Sequence, residues 1–534
     1  MTVASESADS PPLKSMIALM KRPARPLAIW QRVSAALHVA NIPGLRNRLA
    51  AGAFWSLVGS VGSRSLQLFA LALTAHVLGK EGFGKLAIIQ STTAMFGTLA
   101  GFGLGLTSTK YIAEFRYSDP AKAARICAMA TVVGLAASAF LAAVMFLLAD
   151  TLAIRALASP ALATLLRISS LTLLLSAFNG VQLGELAGFE AFKAIAVVSW
   201  IGGFGSFLFL IFGVKWGGLA GATWSFAGGA ALAVVLCHGA IRAVARRSSV
   251  RFDFGNCLQE KRILWTFSLP TVLSGISGGA MLWISNTVLA RTNDGYAAVG
   301  MFNAANSIRM LVMYIPAIIM QASFPALARA YSHRHDSTEF GSLLLLTHNY
   351  VNVPCLLGAV ILMFGANIAI KMFGAAIEGG AIVLVVLMIS ACIQSLGCAV
   401  GATIQARGDQ WLSFWLNLLW GAVLFSVAFA AAPRMGALAL AFANVLAYCT
   451  LVTAQAWSLR RDLPLPLLSA LLRTSFALAL AGALATVVVT KGNVSLQAVV
   501  GLAAAAGIAK AGSVRIGNTV EATETYPARA VSCL

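Results

Sequence analysis

Residues 380–404 read GAIVLVVLMISACIQSLGCAVGATI, a run of 25 positions without one Asp, Glu, Lys or Arg. A helix rises 1.5 Å per residue, and the hydrocarbon core of a bilayer is about 30 Å thick, so about 20 apolar residues suffice to cross it. This run is long enough and has no polar face to turn toward water, so it predicts a membrane-spanning helix.

Working outward, the same pattern recurs along the chain. The apolar blocks predict helices at about 50–78, 84–106, 124–149, 161–183, 193–214, 217–240, 262–290, 298–328, 340–366, 380–404, 410–431, 435–458, 467–489 and 494–510. The last of these is short and rich in Ala and Gly. Composition agrees: 59% of the 534 residues are hydrophobic and only 10% charged, against about 25% charged in a soluble domain. The expected fold is an all-α integral membrane protein of 12–14 transmembrane helices.

The formal net charge is +20. Nucleic-acid binding would need the basic residues gathered on one soluble face; here they stand singly or in small groups between apolar blocks. With the amino terminus placed in the cytoplasm, the inside loops and tail carry 23 Lys and Arg and the outside loops 8. Short loops rich in Lys and Arg stay inside, so this bias supports both the helix count and a cytoplasmic amino terminus. Residues 1–49 form a long, Pro-containing basic tail rather than a cleavable signal peptide. Within it, Leu27 to Ala40 suits either an interfacial amphipathic segment or a disordered tail. The eight cysteines contain no CxxC pair, so neither a disulfide framework nor a metal site is expected.

The longest inter-helix loop, about 241–261, has no room for a catalytic domain, and no Walker spacing is present. We therefore expect a transporter, not an enzyme, with no catalytic residues and no cofactor.

A weak internal repeat is also legible. Gly-Phe-Gly at 82–84 matches Ala-Val-Gly at 298–300, and at the same displacement Gln90 falls opposite Asn306. Ala187–Phe192 resembles Ala406–Trp411 in character at a closely similar displacement, and Trp-Gly-Gly-Leu at 216–219 pairs with Arg-Met-Gly-Ala at 434–437. Six helices per unit give parallel repeats about an axis along the membrane normal. The expected organisation is a basic cytoplasmic tail (1–49), a six-helix lobe (50–240), a cytoplasmic linker (241–261), a second six-helix lobe (262–458), two extra helices (459–510) and a polar tail (511–534). The two lobes would be pseudo-symmetric and flank a central cavity.

All 18 acidic residues fall in loops, tails or the last turn of a helix. Cations do enter the helices. Arg64 is mid-span, where burial costs roughly 2.5–3.5 kcal/mol on insertion scales, so it should face water or a partner. At 100° per residue, Ser56, Ser60, Ser63, Arg64, Gln67 and Thr74 share a sector of about 100°. Ser and Thr alone would be explained by helix–helix hydrogen bonding; Arg64 turns the reading toward a cavity. On helix eight, Asn303, Asn306, Ser307, Tyr314 and Gln321 share a similar sector, with Arg309 at its border as a cavity cation or a snorkelling residue. His348 on helix nine is a further candidate, though packing explains such a residue equally well. The candidate substrate-binding set is Arg64, Gln67, Asn303, Asn306, Arg309 and His348. A cavity with cations and no anions suits a phosphate-bearing substrate, for which Arg offers a bidentate fork.

The stretch from Leu78, LGKEGFGKLAIIQSTTAMFGTLAGFGLGLTSTKYIAEF, resembles the first loop and second helix of the polysaccharide transporter family. These are oligosaccharide flippases of the multidrug/oligosaccharidyl-lipid/polysaccharide exporter superfamily. Leu-Gly followed by Phe-Gly, and Tyr-Ile-Ala-Glu at 111–114, carry most of the likeness. The resemblance implies two six-helix lobes forming a V, alternating inward and outward openings, and a central cationic cavity. It also implies a substrate of sugar repeat units on polyprenyl pyrophosphate, moved across the cell inner (cytoplasmic) membrane for exopolysaccharide, capsule or O-antigen synthesis. Implied partners are membrane lipids and polysaccharide polymerase or export proteins, with no nucleic acid. A cation-coupled multidrug or metabolite antiporter of the same superfamily is the alternative; it would place a carboxylate mid-span. The long tails before helix one and after residue 510 depart from the family pattern.

Overall fold

The computed structural model describes residues 45–460, apart from 102–103, 116–117, 248–268, 293–294, 333–336, 375–376, 378 and 408. The amino-terminal tail up to residue 44, most of the 241–261 linker, helices thirteen and fourteen and the 511–534 tail lie outside the described residues.

The described chain is helical throughout. Its elements are α1 (Leu45–Ala100), α2 (Leu104–Phe115), α3 (Pro120–Thr151), α4 (Leu162–Gly188), α5 (Phe192–Arg247), α6 (Leu269–Ala290), α7 (Gly295–Ser332), α8 (Ser337–Phe364), the short α9 (Ala366–Lys371), α10 (Gly380–Ala406), α11 (Gln410–Met435) and α12 (Ala437–Ser458). Eight described helices are long and apolar enough to cross a membrane. Two elements, α1 and α5, are too long to be single spans. Each would reach about 84 Å at 1.5 Å per residue, over twice the hydrocarbon thickness. Non-helical glycines break them: Gly79 in α1 and Gly218 in α5. With α1 and α5 each read as two spans, and α2 continuing the second half of α1, each of the first twelve expected helices coincides with a helical segment.

Local chemistry explains several ends. Asp119 caps α3, its carboxylate accepting from the Lys122 backbone N–H at 2.9 Å, and Pro120 occupies the first turn. Such a cap contributes about 1 kcal/mol. Large apolar side chains stand outward: Trp216, Leu147, Val235 and Phe140 are each at least two-thirds exposed. That surface fits hydrocarbon, not water. The charge-free α10, by contrast, is buried along most of its length, between α7, α8 and α12.

The internal repeat is written into the backbone. Gly218 has φ 53° and ψ −131°, and Gly436, its counterpart in the second half, has φ 52° and ψ −129°. Gly79 and Gly295, related by the same displacement as Gly84 and Gly300, both have positive φ. A side chain in this left-handed region costs roughly 1–2 kcal/mol, so glycine at both copies is a backbone requirement. The two halves also meet through repeat-related residues. A Cβ on Gly84 would overlap the Tyr296 carbonyl, and a Cβ on Gly300 would overlap the Lys80 carbonyl. Gly84 and Gly300 are one repeat-related pair, and Lys80 and Tyr296 are another with the same offset. The crossing is therefore two-fold, and only hydrogen side chains let the backbones come this close. Elsewhere the halves join through α1 against α6 and α7, with Trp283 Nε1 donating to Thr92 Oγ1 at 2.8 Å.

Candidate functional site

Arg64 lies on α1 where that helix is wedged between the two halves. Its neighbour Gly62 is covered by the Trp200 ring of α5, and Ser63 packs on Gly203 of the same helix. Arg64 itself turns to the other half: its Cζ is 5.8 Å from the centre of the Tyr314 ring on α7. Nη1 donates to Gln67 Oε1 at 3.2 Å, one turn along α1. Both Arg64 and Gln67 are exposed, so the guanidinium retains donors beyond the one given to Gln67. On α7, Asn303 and Ser307 fall within about 20° of Tyr314 around the helix. They therefore share the side of α7 that meets Arg64, and Asn303 and Tyr314 are half-buried.

Arg309 sits differently. It lies about 140° around α7 from Tyr314 and is only 4% exposed. Nε donates to Asn306 Oδ1 at 2.9 Å and Nη1 to Gln394 Oε1 of α10 at 2.8 Å. The Tyr448 ring of α12 lies 6.0 Å from its Cζ. The guanidinium thus joins α7, α10 and α12 inside the carboxy-terminal half. Arg64 and Arg309 stand at matching depths, each about 22 Å along its helix from Gly79 or Gly295. The structure places them in two separate contact sets: Arg64 with Gln67 and Tyr314, Arg309 with Asn306, Gln394 and Tyr448.

His348 is buried within α8 at 1% exposure, its Nδ1 3.1 Å from Asn352 Nδ2. Asn352 Oδ1 accepts from Ser395 Oγ of α10 at 2.7 Å. This network ties α8 to α10 and extends the polar interior around Arg309. Arg167 of α4 pairs with Asp150 of α3 at 2.6 Å.

Sequence reasoning missed three parts of this interior. Gln394 of α10 accepts from Arg309, and its position within an otherwise apolar run was the available signal. Tyr448 gave none, since only the α12 packing brings its ring to α7. Glu185, just past the expected helix end at 183, was read among the acidic residues of loops, tails and last helix turns, and its burial was not foreseen. Helix α4 instead runs on to Gly188, and Glu185 is 2% exposed within its last turn. Its Oε1 accepts from Thr131 Oγ1 of α3 at 2.9 Å. Among the described residues, Glu185 and Arg309 are the buried acidic and basic side chains besides His348. Among the same residues no group of three or more His, Cys, Asp or Glu is placed to hold a metal ion.

Comparison with known proteins bears on this geometry. A family profile described as "Polysaccharide biosynthesis protein" matches residues 49–331, more than half of the chain. A relative from Ralstonia nicotianae, named EPS I polysaccharide export inner membrane protein EpsE, is 24% identical over 438 residues, covering 79% of this chain and 95% of its own. Among solved structures, the lipid II flippase MurJ in an inward closed conformation aligns with a TM-score of 0.66 at 13% identity, over 85% of this chain and 97% of MurJ. An inward-facing multidrug resistance MATE family transporter of the MOP superfamily aligns at 0.63 and 18% identity, over 79% and 99%. At such identities the two structures speak for the fold alone: this chain's helical bundle is built like theirs.

Proposed function

The chain belongs to the polysaccharide biosynthesis protein family, and from that premise we propose that it is a flippase for lipid-linked oligosaccharide repeat units. It carries sugar units on polyprenyl pyrophosphate across the cell inner membrane, from the cytoplasmic to the periplasmic side, for surface polysaccharide synthesis. The amino terminus is cytoplasmic, in keeping with the excess of Lys and Arg in inside loops. Residues 50–240 and 262–458 act as the two moving lobes, with 241–261 as the cytoplasmic linker, 459–510 as added helices, and 1–49 and 511–534 as tails. Polysaccharide polymerase and export proteins receive the product.

The observation that carries this reading is Arg64 at the junction of the halves. It is exposed, facing the other lobe, and held by one same-helix amide and one ring. Pyrophosphate is the ligand chemistry that a free guanidinium fork in a cleft best recognises. Gln67, Asn303 and Asn306 meet polar head-group atoms, and Arg309 adds positive charge from behind Asn306. His348 supports the α8–α10 wall of the site, while the lipid tail stays in the bilayer beside the lobes. Rocking of the lobes about the Gly84–Gly300 crossing gives alternating access.

The test is deletion of the gene with analysis of lipid extracts and surface polysaccharide. A lipid-linked repeat unit accumulating on the cytoplasmic side, relieved by the wild-type gene and not by Arg64→Ala, is the expected result. Normal surface polysaccharide with altered sensitivity to cationic drugs would overturn it in favour of a cation-coupled antiporter.

A further inference from the structure

Three sulfur atoms meet inside the carboxy-terminal half, and the flippase reading uses none of them. Asn352 of α8 and Ser395 of α10 are hydrogen-bonded at 2.7 Å. One turn further along α8, the Cys355 thiol points at the Ala391 carbonyl, one turn back on α10, at 3.8 Å. The two helices therefore run antiparallel, and that register sets Cys355 opposite Cys392, whose thiol it meets. From α7, Met313 brings its Sδ to 4.0 Å from Cys355 Sγ. Cys355 and Cys392 are fully buried and Met313 is nearly so.

Packing accounts for any one of these residues, since a free cysteine behaves as a small hydrophobe and methionine fills gaps. It does not account for the charge beside them. Arg309 is always ionised, and its charge reaches Cys355. Its hydrogen-bond partners Asn306 and Gln394 are neutral, and among the described residues no carboxylate is buried in this half. Thiols become anions when a metal takes the place of their protons. A donor set of two thiolates and a thioether selects a soft ion over a hard one. Three sulfurs around one ion at about 2.3 Å, the length of a metal–thiolate bond, stand about 4 Å apart, which is the spacing of Met313 and Cys355. Charge fixes the valence. A monovalent ion on two thiolates leaves one negative charge, which Arg309 balances; a divalent ion would leave Arg309 unmatched.

We propose that Cys355, Cys392 and Met313 form a three-sulfur site for copper(I), a soft monovalent ion, between α7, α8 and α10. On binding, two S–H bonds break, both protons pass to water, and the two thiolates and the Met313 thioether each bond the metal. No electron is transferred. Pro354, beside Cys355, removes a backbone N–H from α8, so α8 yields most easily there to an incoming ion. Bound metal ties three helices of one lobe together, and occupancy therefore stiffens that lobe.

Copper(I) alone is the probe, supplied from a competing chelate to the full chain in detergent without oxygen. No transport substrate is present, so the result is independent of the flippase reading. The wild type is expected to keep one equivalent of copper that Cys355→Ala and Cys392→Ala lose. Cys398→Ala should keep it, because that thiol bonds the Gln394 carbonyl of its own helix. Copper X-ray absorption should show sulfur neighbours only, at about 2.3 Å, with one fewer in Met313→Leu. The loaded wild type should melt above the metal-free protein, since the assembled site exists only in the folded chain. Equal copper retention by the wild type and both cysteine variants would overturn the proposal. Nitrogen or oxygen neighbours in the wild-type spectrum would do so even if the variants failed to fold. A Cys355–Cys392 disulfide found by mass spectrometry of the copper-treated protein would overturn it in favour of an oxidisable pair.

Discussion

Gly218 in the first lobe and Gly436 in the second hold φ at 53° and 52° and ψ at −131° and −129°, yet the lobes bury different chemistry. The first encloses Glu185 with one hydroxyl donor. The second encloses Arg309 with two amide oxygens and the face of Tyr448. Arginine cannot shed its proton inside a protein, so its burial has to be matched by acceptors, and it is. A carboxylate can take a proton instead, so its burial needs fewer partners. The repeat sets the shared backbone, and the side chains laid on it differ: one half buries a carboxyl group, the other a guanidinium. The first-lobe counterpart of Arg309, at the offset that relates Gly84 to Gly300, is Thr93, whose hydroxyl bonds the Ile89 carbonyl of its own helix.

The largest expected effect is in the second lobe. Arg309→Ala leaves Asn306 Oδ1 and Gln394 Oε1 without their donor and opens a gap between α7, α10 and α12. Removing one partner of a buried charged network costs about 3–5 kcal/mol. Detergent-solubilised Arg309→Ala should therefore lose a large part of its thermal stability, read by fluorescence-detected size exclusion after heating. Wild-type stability would show that the Arg309 contacts are incidental.

How far this contrast was legible follows from what each residue needed. Helix positions depended on local apolar runs, so α10 and its neighbours could be read directly. The repeat was visible because Gly82–Gly84 and Gly218 mark turns and crossings that tolerate no side chain. The burial of Arg309 was not legible, because it depends on Gln394 and Tyr448, which stand on other helices far along the chain. Its helical phase put it at the border of the polar sector, and packing decided which way it faced. The burial of Glu185 was not legible because an acidic residue near a helix end ordinarily stands in water. Here Gly184 against Gly105 brings α4 and α2 close enough to cover it.

The next effect tests the likeness and not the difference. Gly84→Ala and Gly300→Ala each drive a methyl into the partner backbone, and such overpacking costs typically about 1–3 kcal/mol. If the crossing is two-fold, the two variants should lower the melting temperature by similar amounts. A large loss in one and none in the other would break the equivalence. Gly218→Ala and Gly436→Ala sharpen the same point at about 1–2 kcal/mol each, again expected to be equal. An unequal pair would mean that the matching dihedral angles are held by different surroundings.

Arg64→Ala should have the smallest effect on stability and the clearest on transport. Arg64 is exposed, and its hydrogen bond is to Gln67 on its own helix. Exposed substitutions of this kind stay within about 0.5 kcal/mol, so its melting curve should overlay the wild type while that of Arg309→Ala does not. A hydrogen bond from a cation to phosphate contributes about 1.5–3 kcal/mol, and losing it should slow clearance of the lipid-linked intermediate by roughly 10- to 100-fold. Arg64→Lys keeps the charge but not the fork, and should recover part of that loss. The pair of readouts separates two roles that one cation can play at the same depth in a bundle. If Arg64→Ala destabilised the protein as much as Arg309→Ala, Arg64 would be a packing residue, and the cleft would have lost the group that gives it a preference for phosphate.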